Sequence, residues 1–286
     1  MEMYNIYKHI IDGCDEALKD SFVRRMEASV NIAEAKLQSG KPVYEPESER
    51  NILLRAGAGL SPELQSKAYS LWKNLQRLGR GRQYRYFIMN DPDLRLPHEE
   101  HITDHAPAGS ALCPESIARS VSSVLDLEAS PCPSIQSAID GLLADSGAYA
   151  AVELSSFYET DWLYSMILPL PVYIHAILPT ADGSLIACLS KSLINTPEKS
   201  IITVAFTPDS DAHGSLAQAL SVFSDFNINI EYMRLKTPRG GDMSAEPSVT
   251  FVEITSRLTS TDTRAALFQL QSELPMCRVL GYRKNL

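Results

Sequence analysis

Arg25 and Lys36 stand eleven residues apart in a stretch, Met3 to about Gln38, whose apolar residues (Tyr7, Ile10, Ile11, Leu18, Phe22, Met26, Ala33 and Leu37 among them) recur at three and four residues. The stretch has no proline and one early glycine, Gly13, and predicts a single long helix. At ~100° per residue that spacing returns to nearly the same face, ~16 Å along the axis, so the two long cationic side chains can close on one small dianion. Lys8 lies ~25 Å below Arg25 and well round the helix, out of reach of that pocket within its own chain. A second copy of the helix, running antiparallel, can supply it.

Lys8, Asp15, Arg25, the Ala35-Lys36-Leu37 step, Lys41-Pro42-Val43, Glu45, the Glu49-Arg50 pair and Gln83 fall in an order and spacing that resembles the all-helical chorismate mutases over about residues 4–88. The layout is similar to the mutase domain at the front of bifunctional mutase–prephenate dehydratase proteins, which end in an ACT domain that senses phenylalanine. The resemblance implies conversion of chorismate to prephenate, in which a carbon–oxygen bond breaks as a carbon–carbon bond forms within one molecule. No covalent intermediate, metal or cofactor is implied. What accelerates such a step is a compact, fixed conformer and positive charge or donors at the ether oxygen, where negative charge develops.

By the same resemblance Lys36 and Gln83 contact the ether oxygen, Arg25 holds one carboxylate, Lys8 of the partner subunit holds the other, and Glu49, with Glu45 one turn earlier, orients the substrate hydroxyl. Three positions depart from the family. Lys8 stands where arginine is usual and cannot form a bidentate fork on a carboxylate. Ser48 stands where many members carry a further arginine, and Gly79 where a small hydroxyl residue is usual. Arg80 and Arg82 are near enough in sequence to compensate for the missing charge.

At 286 residues, 44% hydrophobic and 21% charged, the chain has the composition of two or three globular domains. A net charge of −9 argues against a nucleic-acid partner, and the local run Arg77, Arg80, Arg82, Arg85 reads as anion-binding or solvated. Five scattered cysteines without paired spacing, together with an acidic N-terminus that lacks a signal-peptide pattern, predict a reducing, cytoplasmic setting. The most apolar stretch, Trp162 to Leu178, is broken by Pro169 and Pro171, which excludes it as a membrane span. His98-Glu99-Glu100-His101 lacks the metalloprotease spacing and reads as part of a solvated linker. Ser155-Ser156 lacks the glycine-flanked elbow of a serine nucleophile.

The expected fold class is multi-domain, α and α+β: a three-helix mutase domain at 1–89 forming an intertwined dimer, a linker at 90–113, a small α/β domain at 114–197 and a ferredoxin-like ACT domain at 198–286. In the first, Pro46 opens a second helix ending near Ala56, and Ser61-Pro62 opens a third with an apolar face to about Leu78. In the middle, helices are expected near 115–125 and 135–143 and strands near 148–154, 171–178 and 184–189. From Ser200 the order strand-helix-strand-strand-helix-strand is that of a ferredoxin-like sandwich, with a long polar hairpin loop from Thr237 to Pro247.

The Gly214-Ser215-Leu216 step and Asn229 resemble the effector site of ACT domains, which implies an aromatic amino acid as effector. In place of the acidic motif of phenylalanine sensors the chain has Arg234-Leu235-Lys236-Thr237. Ser134 to Leu154 resembles a segment of prephenate dehydratase, but Ala187-Cys188-Leu189 occupies the place of that family's Thr-Arg-Phe motif, which implies a degenerate remnant. Three functions follow: a regulated dimeric or higher-order chorismate mutase, a bifunctional mutase/dehydratase, and a non-catalytic regulatory paralogue.

Overall fold

A computed structural model of the protein describes residues 2–106, 108–145, 147–155, 159–194, 199–209, 214–236 and 248–283. The hairpin loop expected at Thr237 to Pro247 lies outside the described residues. The chain forms two compact units, Met1–Leu94 and Arg95–Leu286.

The first unit is three helices, α1 (Glu2–Ser39), α2 (Pro46–Gly57) and α3 (Pro62–Asn90). Gly40 stops α1 in the left-handed conformation, with Lys41 N–H donating to the Lys36 carbonyl at 3.0 Å and Gly40 N–H to Leu37 at 3.4 Å. Ser61 caps α3 by accepting from Leu64 N–H, and Pro62 occupies its first turn. Gly57 ends α2 against the Tyr69 ring, where a Cβ would lie only 2.6 Å from a ring carbon. α3 does not stop near Leu78 but continues through Gly79 and Gly81. Both glycines are buried, so tertiary packing offsets their helix penalty of ~1 kcal/mol each.

The core of this unit involves only the C-terminal half of α1, where Met26, Ser29 and Ala33 are buried. The N-terminal half leaves Tyr4, Tyr7, Ile10, Ile11, Leu18 and Phe22 exposed along one stretch of helix, an apolar surface far from ordinary for a lone soluble helix.

The second unit is built on a nine-stranded sheet. Its first half comprises β1 (Ile102–Thr103), β2 (Ala111–Pro114), α4 (Ala118–Leu125), β3 (Ala129–Cys132), α5 (Ile135–Leu143), β4 (Tyr149–Leu154), α6 (Thr160–Ile167), β5 (Tyr173–Pro179), β6 (Leu185–Ser190) and β7 (Leu193–Ile194). Its second half is β8 (Ser200–Thr207), α7 (Ser215–Asp225), β9 (Asn229–Lys236), β10 (Val249–Ser256), α8 (Thr261–Glu273) and β11 (Met276–Arg283). The strand order is β3-β2-β4-β6-β5-β11-β8-β10-β9, and β1 pairs separately with β7. Within it β11-β8-β10-β9 is the antiparallel sheet order of a ferredoxin-like sandwich.

Two expectations about this region need correction. The stretch 90–113 is not merely a linker: Ala111–Pro114 pairs in parallel with both β3 and β4. His98 is not solvated but 3% exposed, and the neighbouring Glu99 carboxylate holds the Arg264 guanidinium at 2.5 and 3.1 Å. The two halves of the unit also share one sheet. Gly281 of β11 pairs with Ile174 of β5 at φ +142°, and a Cβ there would lie 2.3 Å from the Ile174 carbonyl oxygen. Only glycine permits that approach.

Helix α6 ties the same halves together. Asp161 pairs with Arg234 of β9, the Tyr164 hydroxyl donates to Glu253 of β10 at 2.5 Å, and Arg278 of β11 donates to the carbonyls of Ile167, Leu168 and Val172 beyond the helix end. Glu253 is buried and also accepts from Arg283 at 2.9 Å, so its charge is compensated in place.

Neither ring nitrogen of the buried His98 has a hydrogen-bond partner, and burial pushes its pKa from 6.5 down to about 4. Below pH 6.5 the unfolded chain takes up a proton that the folded unit does not. Stability therefore falls as pH drops from 6.5 to about 4, by ~3 kcal/mol at ~1.4 kcal/mol per pH unit. Hydrogen exchange of β8 and β10 amides at pH 7 and pH 4.5 should show this loss in the parent and a smaller one in His98→Leu. Equal losses in the two proteins would assign the effect to other groups.

Candidate active site in the helical unit

One face of α3 carries Gln76, Gly79, Arg80 and Gln83 at spacings of three and four residues, and this face receives side chains from α1 and α2. Arg25 of α1 lies half-buried and donates from Nη1 to the Leu75 carbonyl at 2.7 Å. Its approach depends on Gly79, where a Cβ would stand 3.1 Å from Arg25 Nη1 and 3.0 Å from Ser29 Oγ. The glycine that departs from the family pattern thus gives the guanidinium and Ser29 a few tenths of an ångström of room against α3. Burial lowers the pKa of Arg25, with the Glu49 carboxylate opposing that shift and the Arg80 guanidinium adding to it.

Glu49 of α2 forms an ion pair with Arg80 in which both side chains are largely covered, at 19% and 12% exposure. The Arg80 guanidinium also lies 5.2 Å from the centre of the Tyr44 ring, and Gln76 Nε2 donates to the Glu49 main-chain carbonyl at 3.0 Å, fastening α2 to α3. Lys36 donates to the Val43 carbonyl at 2.6 Å and meets Glu45 at 2.7 Å, which keeps the Glu45 carboxyl below its ordinary pKa. Gln83 is buried, and its Oε1 has no partner. Rotation of the amide presents Nε2, a donor, at the same place.

The fold thus brings Arg25 and Glu49 to one face of α3 beside Arg80 and Gln83, with Lys36 and Glu45 paired at the turn from α1 to α2. Lys8 is exposed on the N-terminal half of α1, seventeen residues from Arg25. Tyr44 and Gln76 were not singled out from the sequence, whereas Arg80 was named there with Arg82 as a cation near enough to compensate for Ser48, and of the two it is Arg80, three residues before Gln83 on the same helix face, that lies in the site. Ser48 and Arg82 are exposed.

In the second unit Gly214 stands in the left-handed conformation at the N-terminus of α7, with open space where a Cβ would be. Ser215 and Leu216 follow in the first turn. Asn229 opens β9 beyond the other end of that helix, ~16 Å away along its axis, and donates to Glu231 at 2.7 Å. One chain does not bring Asn229 to Gly214. Ala187, Cys188 and Leu189 are wholly buried in β6, and burial pushes the Cys188 thiol up to about 12. Among the described residues no group of His, Cys, Asp or Glu is arranged to hold a metal ion, and no helix is long and apolar enough to cross a membrane.

Residues 8–82 match the family model described as chorismate mutase type II, a match consistent with isomerase activity. Among solved structures, prephenate dehydratase from Arthrobacter aurescens, determined with L-Phe, is 12% identical with a TM-score of 0.50, covering 62% of this chain and 90% of its own. Prephenate dehydratase from Streptococcus mutans is 18% identical, with a TM-score of 0.46 and coverages of 61% and 97%. The quorum-quenching acylase GqqA is 13% identical, with a TM-score of 0.47 and coverages of 65% and 96%. No curated protein matches the chain. The chain therefore joins an N-terminal chorismate-mutase-type-II domain to a region with a fold like that of the Arthrobacter dehydratase. At such identity the likeness concerns fold alone.

The unpartnered Oε1 of Gln83 contributes nothing to the stability of this unit. Gln83→Leu should leave urea stability unchanged or raise it by up to ~1 kcal/mol, since removing a buried unsatisfied group relieves its desolvation cost. A loss larger than that would place Gln83 among the groups that hold the helices together.

Proposed function

We propose that the helical unit is a chorismate mutase, converting chorismate to prephenate in aromatic amino acid biosynthesis. The observation that carries this reading is the convergence of Arg25, Glu49, Arg80 and Gln83 on one face of α3, within a domain that matches the mutase family over residues 8–82. The substrate brings two carboxylates, an ether oxygen and a hydroxyl. Arg25 takes one carboxylate. Lys36 keeps one of its three N–H donors beyond those on Val43 and Glu45, and with the Gln83 amide it meets the ether oxygen as negative charge grows there. Glu49, held by Arg80, accepts from the hydroxyl.

The active assembly on this reading is a dimer. The exposed apolar residues along the N-terminal half of α1 favour it, and so does the distance of Lys8 from the site in its own chain. An antiparallel partner helix covers the first and delivers Lys8 of the partner subunit. The C-terminal half of the second unit is an ACT-like domain in this proposal, with an aromatic amino acid as effector. Gly214, Ser215 and Leu216 receive its carboxylate at the α7 N-terminus, and Asn229 comes from a paired chain. Retained dehydratase chemistry is disfavoured by the apolar burial of Ala187, Cys188 and Leu189.

Following chorismate loss and phenylpyruvate formation in one assay tests the reading: prephenate should accumulate and phenylpyruvate should not. Lys36→Met should lower kcat by about 10²- to 10³-fold. Because Lys36 also holds the Val43 carbonyl, a stability loss of ~1 kcal/mol should accompany it. Turnover within a few-fold of the parent would remove Lys36 from the chemistry.

Mixing Lys8→Ala with Arg25→Ala, each inactive alone, should restore activity after subunit exchange, since each heterodimer then has one site that carries neither substitution and one that carries both. Proven heterodimers without recovery would rule out a shared site.

A further inference from the structure

The pocket on α3 contains more charge than the residues expected to bind ligand. In a single chain Arg25, Lys36 and Arg80 face Glu45 and Glu49. Lys36 is matched by Glu45. Without Arg80 the remaining Arg25 and Glu49 would cancel, leaving an incoming dianion only the exposed Lys41, beside Glu45, as an uncompensated cation of this group. Other basic residues of the region do not make up the difference: Arg50 and Arg82 are exposed, and Arg77 is buried with Nη1 on Asn74 Oδ1 at 2.7 Å.

Arg80 is also held more firmly than a solvated arginine. Glu49 pairs with its Nη1, the Tyr44 ring lies 5.2 Å from its centre, and 12% of the side chain is exposed. A planar guanidinium carries five N–H donors in a rigid fork whose geometry matches a carboxylate. In so covered a place a charge acts over a lower dielectric than at the surface. The Arg80 guanidinium stands close enough to disfavour the charge of Arg25, an arrangement suited to an anion beside them.

We propose that Arg80 is the specificity-determining cation of this pocket, the group that reads the second negative charge of a dianionic ligand. The inference rests on the mutase reading of the same site and adds to it a residue that the family pattern does not supply. It also accounts for the exposed Ser48: the cation missing from α2 is provided from α3.

The test is calorimetric titration with chorismate, a dianion, and with its monomethyl ester, a monoanion, kept separate from turnover. The parent should prefer the dianion. Arg80→Met, which keeps the stem and removes the charge, should weaken the dianion by about 10-fold or more while the ester stays within about 2-fold, and Arg80→Lys should recover most of the preference. Because Arg80→Met leaves the Glu49 carboxylate unpaired, the double variant with Glu49→Gln is compared with Glu49→Gln alone, and the same collapse of preference is expected. Equal weakening of both ligands, or no weakening of either, overturns the proposal. A parent that binds the dianion selectively but converts no chorismate overturns the mutase reading and leaves Arg80 in place. A parent that converts chorismate while Arg80→Met keeps the preference overturns Arg80 alone, and binding of neither ligand overturns both.

Discussion

The close approach of α1 to α3 at Gly79 is the constraint on which the chemistry of the helical unit depends. A helix that carries a glycine in its interior gives up ~1 kcal/mol relative to alanine. Here the space of the absent side chain is taken by Ser29 and the Arg25 guanidinium, at 3.0 and 3.1 Å from where a Cβ would be, closer than ordinary van der Waals contact. The guanidinium can then reach the Leu75 carbonyl and come within electrostatic range of Glu49 and Arg80. A residue that looks like a weak point in a helix sets how deeply a cation is buried.

Burying that many charges is costly unless each has a partner. The unit meets this by pairing: Lys36 with Glu45, Arg80 with Glu49 and the Tyr44 ring, Arg25 with a main-chain carbonyl. The pairs are drawn from all three helices, so the contacts that keep the charges tolerable also fix the helices against one another. Gln76 on the Glu49 carbonyl adds a neutral bond between α2 and α3. Positioning the site and holding the unit together are consequently one set of interactions, apart from Gln83, whose amide oxygen takes part in neither.

In the second unit a different glycine has the comparable role. Gly281 lets β11 pass against β5, so that a ferredoxin-like sheet and an α/β sheet become one, and strands β9, β10 and β11 each send a side chain to α6 or the turn that follows it. Independent movement of the two halves would have to separate Glu253 from Tyr164 and Arg234 from Asp161, uncovering a carboxylate that is 1% accessible. The structure therefore argues against a freely hinged C-terminal module within this unit.

Local order was largely legible in the sequence. Apolar periodicity located α1, the Ser-Pro start located α3, and the six elements from Ser200 onward came out in the right order because each is long and bounded by turn residues. Helical periodicity placed Arg25 and Lys36 on one face of α1 before any packing is known, and the family resemblance added Glu49 and Gln83 as candidates. Short elements were missed: β2 and β3 have four residues each and contain Pro114 and Pro131, and α6 has eight. The burial of His98, the Glu99–Arg264 pair across 165 residues and the β5–β11 seam left no local trace, since each depends on a partner distant in the chain. The same holds for Arg80. Sequence determined its helix face, but only the tertiary structure decided that Glu49 and Tyr44 would enclose it while Arg82, two residues on and pointing elsewhere on the helix, stays in solvent, because a charge acquires its function from the groups that replace its water.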